Sequence, residues 1–296
     1  MGTIITDLKD TFQRGNIHIQ LIFINVSIFI LTTVVAVILQ LFNCPANHFL
    51  QWLEMPASIS QFLLTPWTLI TYSFMHANVL HILFNMLWLY WFGDLFLQLY
   101  SSKHLRGLYL LGGICGGLLY MLAYNIFPFF KPMVHYSYLL GASAAVLAVV
   151  AATAYKAPNI SIRLWLIGTL PLKYLALIVI GLDLLFLTSN NAGGHIAHLG
   201  GALGGLAFAA ALEKGKDLTR FINQTIDWLT SLFHKKTHKA NMKAKVGGNR
   251  QSDYEYNARK KAQNEEIDRI LDKLKKSGYE SLTTEEKKSL FDASKR

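Results

Sequence analysis

Charge is what the first 212 residues of this 296-residue sequence lack. They hold 8 Lys/Arg and 5 Asp/Glu, whereas residues 213–296 hold 20 and 13. The whole chain is 52% hydrophobic, with a mean hydropathy of +0.31. A soluble domain reaches a similar apolar share only with charge interspersed throughout. The segregation excludes a single soluble globule and indicates a membrane-embedded part followed by a soluble tail. Cysteine is also scarce. Cys44 falls in a loop and Cys115 in mid-span, so no disulfide framework and no cysteine metal spacing is implied. No nucleic-acid-binding motif is present, and the tail mixes its cations with acids. Anionic lipid headgroups are the simpler partner for the net charge of +10. The first apolar run is too long for a signal-peptide core and lacks a clear cleavage site.

Six apolar spans are present: Ile17–Phe42, His76–Leu99, Leu105–Phe127, Tyr138–Tyr155, Lys173–Leu187 and Gly194–Leu212. The fold class expected is an all-α membrane protein, a six-transmembrane-helix bundle with a C-terminal cytoplasmic helical tail. Its divisions are a membrane domain over 1–212, an amphipathic interfacial helix over 213–236, a basic linker over 237–253 and a soluble helical tail over 254–296. The connection Asn43–Thr71 contains no Lys or Arg but carries Trp52 and Trp67, which suits a segment lying along the membrane interface. Lys9 and Arg14 precede the first span. Lys103 and Arg106 join the second to the third, and Lys156, Arg163 and Lys173 lie between the fourth and fifth. The opposite loops hold only Lys131, so the positive-inside rule makes both termini cytoplasmic. The expectation is a multi-pass integral protein of a bacterial inner (cell) membrane.

In this orientation the second, fourth and sixth spans all start on the outer side. His81, Asn85, Ser143 and His198 then share a depth about 6–14 Å below the outer surface, by the helical rise. Ser143 supplies a hydroxyl, and His198 is a base that burial keeps neutral. His81 and Asn85, four residues apart, share one helix face and carry N–H donors suited to an oxyanion. Gly201 and Gly205 form a close-contact face that brings the sixth span against the fourth. Asp94 and Asp183 read as buried structural acids or interhelical hydrogen-bond partners away from this depth, which leaves a Ser–His dyad. His76, His81, His195 and His198 raise the question of zinc. There is no HExxH, and no carboxylate is expected at that depth, so no metal and no cofactor is assigned.

These residues resemble the rhomboid intramembrane serine proteases. The resemblance covers about Phe62–Leu212. It rests on HANVLHILFNMLWLYWFG at 76–93, Gly141-Ala142-Ser143-Ala144, and Ala197-His198-Leu199-Gly200-Gly201. It implies His81 and Asn85 on the oxyanion side, Ser143 as nucleophile and His198 as general base. It also implies cleavage of membrane-anchored protein substrates near their extracytoplasmic boundary, through an acyl-enzyme and without a metal. The lipid bilayer is the other partner; nucleic acid is not one, and the oligomeric state is open. Three positions depart from the family pattern. Ala144 follows the nucleophile where Gly is usual, Leu147 replaces an aromatic residue one turn on, and Thr68 follows Trp67 where Arg is common. Ala144 and Leu147 motivate an alternative, a catalytically silent rhomboid-like protein that binds membrane helices. A transporter would need polar groups lining a path across the membrane, and these gather near one face.

Overall fold

A computed structural model describes residues 15–164, 168–233 and 250–294, together with Thr6, Thr11 and Phe12. Lys9 and Arg14, used above for orientation, lie outside the described residues. The chain is mostly helical and divides into two compact units, Met1–Phe233 and His234–Arg296. In the first unit the principal helices are α1 (Ile17–Leu41), α2 (Val79–Leu97), α3 (Ser102–Ile126), α4 (Ser143–Lys156), α5 (Leu172–Leu185), α6 (Ala192–Glu213) and α7 (Arg220–Phe233). Among the described residues, four helices are long and apolar enough to cross a membrane: α1, α2, α3 and α6.

α4 is the axis of this unit. The sequence suggests a span over Tyr138–Tyr155, but the helix begins only at Ser143. Tyr138–Leu139 is instead a short strand, antiparallel to Met55–Pro56. Gly141 then turns the chain at φ +133°, a conformation that L side chains rarely adopt, and its N–H donates to the Tyr72 carbonyl at 2.9 Å. The 14 residues of α4 make a helix of about 21 Å, shorter than a bilayer core. Every residue from Ala144 to Ala154 is buried, so this helix meets protein on all sides.

Small residues allow that enclosure. A Cβ at Gly201 or Gly205 of α6 would overlap the carbonyl groups of Ala144 and Ala148. A Cβ at Gly112 or Gly116 of α3 would strike the Ala148 and Ala144 methyls. Close backbone approach gains dispersion energy, which matters most where lipid offers no hydrophobic drive for helices to associate. At the far end of α4, Lys156 bonds Glu213 of α6 at 3.3 Å.

α1 packs on the outside of the bundle, with Ile30, Leu31, Val34 and Leu41 exposed. Asn25 ties it inward, donating from Nδ2 to the buried Tyr109 hydroxyl at 3.0 Å. The connection after α1 forms short helices over Ala46–Gln51, Ile59–Leu64 and Thr68–Thr71. Trp52 and Trp67 stack at 5.8 Å, and Trp67 Nε1 donates to the Trp52 carbonyl at 2.8 Å. A hairpin pairing Ser161–Leu164 with Gly168–Pro171 joins α4 to α5.

The second unit contains α8 (Arg250–Ser277) and α9 (Thr284–Ser294). α8 starts earlier than expected, so the linker proposed over 237–253 does not extend past residue 249; its residues 237–249 lie outside the described residues. Thr283 and Glu286 cap α9 reciprocally, and Lys273 pairs with Glu286 at 2.9 Å.

Candidate active site

Ser143 is the first residue of α4, immediately after the Gly141 turn. Its backbone N–H therefore belongs to the unpaired first turn of a helix, where donors and the positive dipole end face outward. Ser143 Oγ is half-buried beside it.

His81 and Asn85 come from the first two turns of α2. Asn78 caps that helix by accepting from the His81 N–H at 2.9 Å. The His81 ring accepts at Nδ1 from the Ala77 N–H at 3.4 Å. A backbone N–H only donates, so neutral His81 carries its proton on Nε2. That nitrogen points at Gly141: a Cβ there would lie 3.0 Å from His81 Nε2 and 3.6 Å from Ser143 Oγ. The missing side chain of Gly141 is thus the space shared by these two groups. Asn85 is buried and donates one amide proton to the His81 carbonyl at 2.8 Å, leaving a second Nδ2–H.

His198 lies in the second turn of α6, one turn before the Gly201 contact with Ala144. Ser143, His198, His81 and Asn85 all line one cavity of about 560 Å³. Phe84, Trp88, Val146, Leu147 and Val179 supply its apolar wall. Among the described residues no hydrogen bond joins Ser143 to His198; such contacts are often long until substrate closes the site. A second cavity of about 490 Å³ adjoins it and shares His81, Leu140, Asn191 and Gly194. This one is lined by the polar residues Tyr120, Tyr124, Tyr136, Ser137 and Asn190, a lining that suits water.

Asp183 is a buried interhelical hydrogen-bond partner, one of the two roles the sequence suggests, but its depth and the burial of Asp94 differ from expectation. Asp183 was expected well away from the site, yet its Oδ1 lies 2.9 Å from His198 Nδ1 and 2.8 Å from His195 Nδ1. Asp183 is not mid-span: α5 stops at Leu185, and even a span drawn to Leu187 leaves Asp183 only about 6 Å from its outer end, at the depth of His198. The premise that no carboxylate shares the site's depth is corrected accordingly. Asp94, expected buried, is exposed and is bonded by Gln98 at 3.4 Å.

Asp183, His195 and His198 each offer one ligand atom, all within 4.8 Å of one another. Their N···O separations of 2.8 and 2.9 Å are hydrogen-bond lengths.

The departures at Ala144 and Leu147 differ in consequence. Ala144 does not line the cavity; its methyl faces Gly116 of α3. Leu147 does line it. Thr68 is buried elsewhere and donates to the Thr65 carbonyl.

The family profile described as Rhomboid domain matches residues 64–214, just over half of the chain. A second profile, a family of unknown function (DUF6576), matches residues 251–296. The chain is similar to "RHOMBOID-like protein 12, mitochondrial" of Arabidopsis thaliana, 30% identical over 158 residues, covering 50% of this chain and 47% of that protein. It is also similar to "Rhomboid protease GluP" of Bacillus subtilis (strain 168), 31% identical over 148 residues, covering 49% of this chain and 26% of that protein. The match therefore spans less than half the length of either relative.

Proposed function

Because the chain belongs to the rhomboid family, we propose that it is an intramembrane serine endopeptidase acting on membrane-anchored proteins near their extracytoplasmic boundary. In this reading α1 to α6 form a six-span bundle, with α4 a short span enclosed by the others and α5 a short span on its edge, where Leu177, Ile178 and Leu185 are exposed. Both termini then face the cytoplasm. The observation that carries the reading is the single cavity lined by Ser143, His198, His81 and Asn85 from three helices.

The chemistry follows from those groups. His198 Nε2 takes the Ser143 hydroxyl proton as Oγ attacks the scissile carbonyl carbon. Negative charge develops on the carbonyl oxygen. The Ser143 N–H, His81 Nε2–H and the free Asn85 Nδ2–H converge as its donors. His198 then gives its proton to the leaving amine, and an acyl-Ser143 ester remains. Water from the polar side cavity attacks that ester with His198 again acting as base. The helix-terminal position of Ser143 adds its dipole to the oxyanion site. A substrate helix must unwind locally to present a peptide bond here, because a helical carbonyl is shielded by its own ladder.

The test is cleavage of a single-span reporter in proteoliposomes. Wild type should release product, and Ser143→Ala or His198→Ala should release none while unfolding at the wild-type temperature. Unchanged cleavage by Ser143→Ala would refute the reading. Leu147 at the cavity wall favours a second reading, a silent rhomboid-like protein that binds membrane helices. Reporter binding without any acyl-enzyme would select it.

A further inference from the structure

His195 and Asp183 have no part in the dyad chemistry above, yet both are joined to its base. Asp183 Oδ1 lies between two imidazoles, 2.8 Å from His195 Nδ1 and 2.9 Å from His198 Nδ1. We propose that Asp183 is a positioning residue for His198, fixing its ring and its tautomer while the proton stays on His198. The inference rests on the serine-protease reading and extends it.

The argument begins with the proton count. A carboxylate carries no hydrogen, so each ring nitrogen facing it must be the donor. His198 therefore holds its proton on Nδ1. Nε2 is left with a lone pair, the form a general base requires, on the edge of the ring opposite Asp183. Without an acceptor at Nδ1 a neutral imidazole distributes its proton between both nitrogens, and part of the population has no base to offer.

Charge gives the second step. Asp183 is 4% exposed, and its Oδ2 is buried with no hydrogen-bond partner among the described residues. No Lys or Arg pairs with it among the described residues; its ion-pair partners are the two imidazoles. When the Ser143 proton reaches His198, the imidazolium forms against Asp183, and the transition state gains more than the ground state.

His195 holds the carboxylate from its other side. It precedes His198 by three residues, so both rings leave the same face of α6. The rings meet edge to face at 6.0 Å, and Phe186 packs on His195 at 5.8 Å. One oxygen has two lone pairs, enough for both donors. Asp183 is held by His195 and in turn holds His198.

A purely structural role would make the two contacts equivalent, since either one braces α5 against α6. The experiment separates the two accounts by measuring fluorophosphonate labelling rate, reporter kcat and KM, and unfolding temperature for purified full-length Asp183→Asn and His195→Phe. Positioning predicts that Asp183→Asn loses about 10²–10³-fold in labelling rate and kcat, with KM and unfolding temperature within error of wild type. His195→Phe should lose under about 5-fold. Equal losses in the two variants, or wild-type labelling by Asp183→Asn, would overturn the inference and leave the protease reading standing. No labelling of wild type at Ser143 would overturn both. Should Asp183→Asn fail to fold, ¹⁵N spectra of histidine-labelled wild type decide the matter. The proposal predicts His198 protonated at Nδ1, and a proton on Nε2 would overturn it.

Discussion

At the scale of single residues, the candidate site depends on one absence and several donors. Gly141 has no side chain where His81 Nε2 and Ser143 Oγ approach, and its φ of +133° strains any other residue. Gly141→Ala should cost about 1–3 kcal/mol in backbone strain. Its methyl also enters the proposed oxyanion space, so reporter cleavage should fall at least about 10-fold by the energy scale of one lost polar contact. Thermal unfolding and initial rates check the two effects separately. Asn85→Ala removes one donor without touching Gly141, and kcat should fall about 10²–10³-fold with little change in KM. That His81, Asn85, Ser143 and His198 gather at one cavity was legible because helical spacing and span direction fix depth. Asp183 belongs to the same band, since it lies four residues, about 6 Å, before the outer end of the fifth span at Leu187; reading it as mid-span hid that. What the sequence leaves no trace of is the rotation of the fifth helix that aims this carboxylate at His198 Nδ1.

At the scale of elements, glycine decides which helices touch. Gly201 of α6 faces the Ala144 carbonyl without room for a Cβ, whereas Gly181 of α5 has open space on its side. Gly201→Leu should therefore destabilise by at least about 1–3 kcal/mol and separate His198 from Ser143. Gly181→Ala should stabilise by about 0.5–1 kcal/mol, because only helix propensity changes. Unfolding in detergent measures both, and similar effects from the two substitutions would contradict the packing account. Apolar runs in the sequence revealed where the helices lie, since their periodic burial needs no knowledge of neighbours. The start of α4 was hidden. Tyr138, Leu139 and Leu140 are as apolar as the helix itself, and only their strand pairing with Met55–Pro56 stops the helix at Ser143.

At the scale of the whole molecule, α7 is the amphipathic link from the bundle toward the tail. Phe221, Trp228 and Leu232 are exposed on it, while Asp227 accepts from Arg106 at 2.7 Å and Lys103 at 3.2 Å. The Arg106 and Lys103 hydrogen bonds hold the Asp227 carboxyl below its usual range. A depressed carboxyl contributes its stabilisation above its ordinary value of about 4, and loses it as pH falls through the lower value. Hydrogen exchange in α7, corrected for intrinsic rate, should thus be slow at neutral pH and accelerate below about pH 4. Arg106→Gln should exchange fast already at neutral pH. The sequence foretold an amphipathic helix here from its spacing, but the partners of Asp227 lie more than a hundred residues away and leave no local trace. The account as a whole is tested most directly by treating the purified protein with a fluorophosphonate and mapping the adduct by mass spectrometry. It predicts a single modification, on Ser143, that disappears in His198→Ala. An unmodified Ser143, or an adduct that forms equally well without His198, would contradict it.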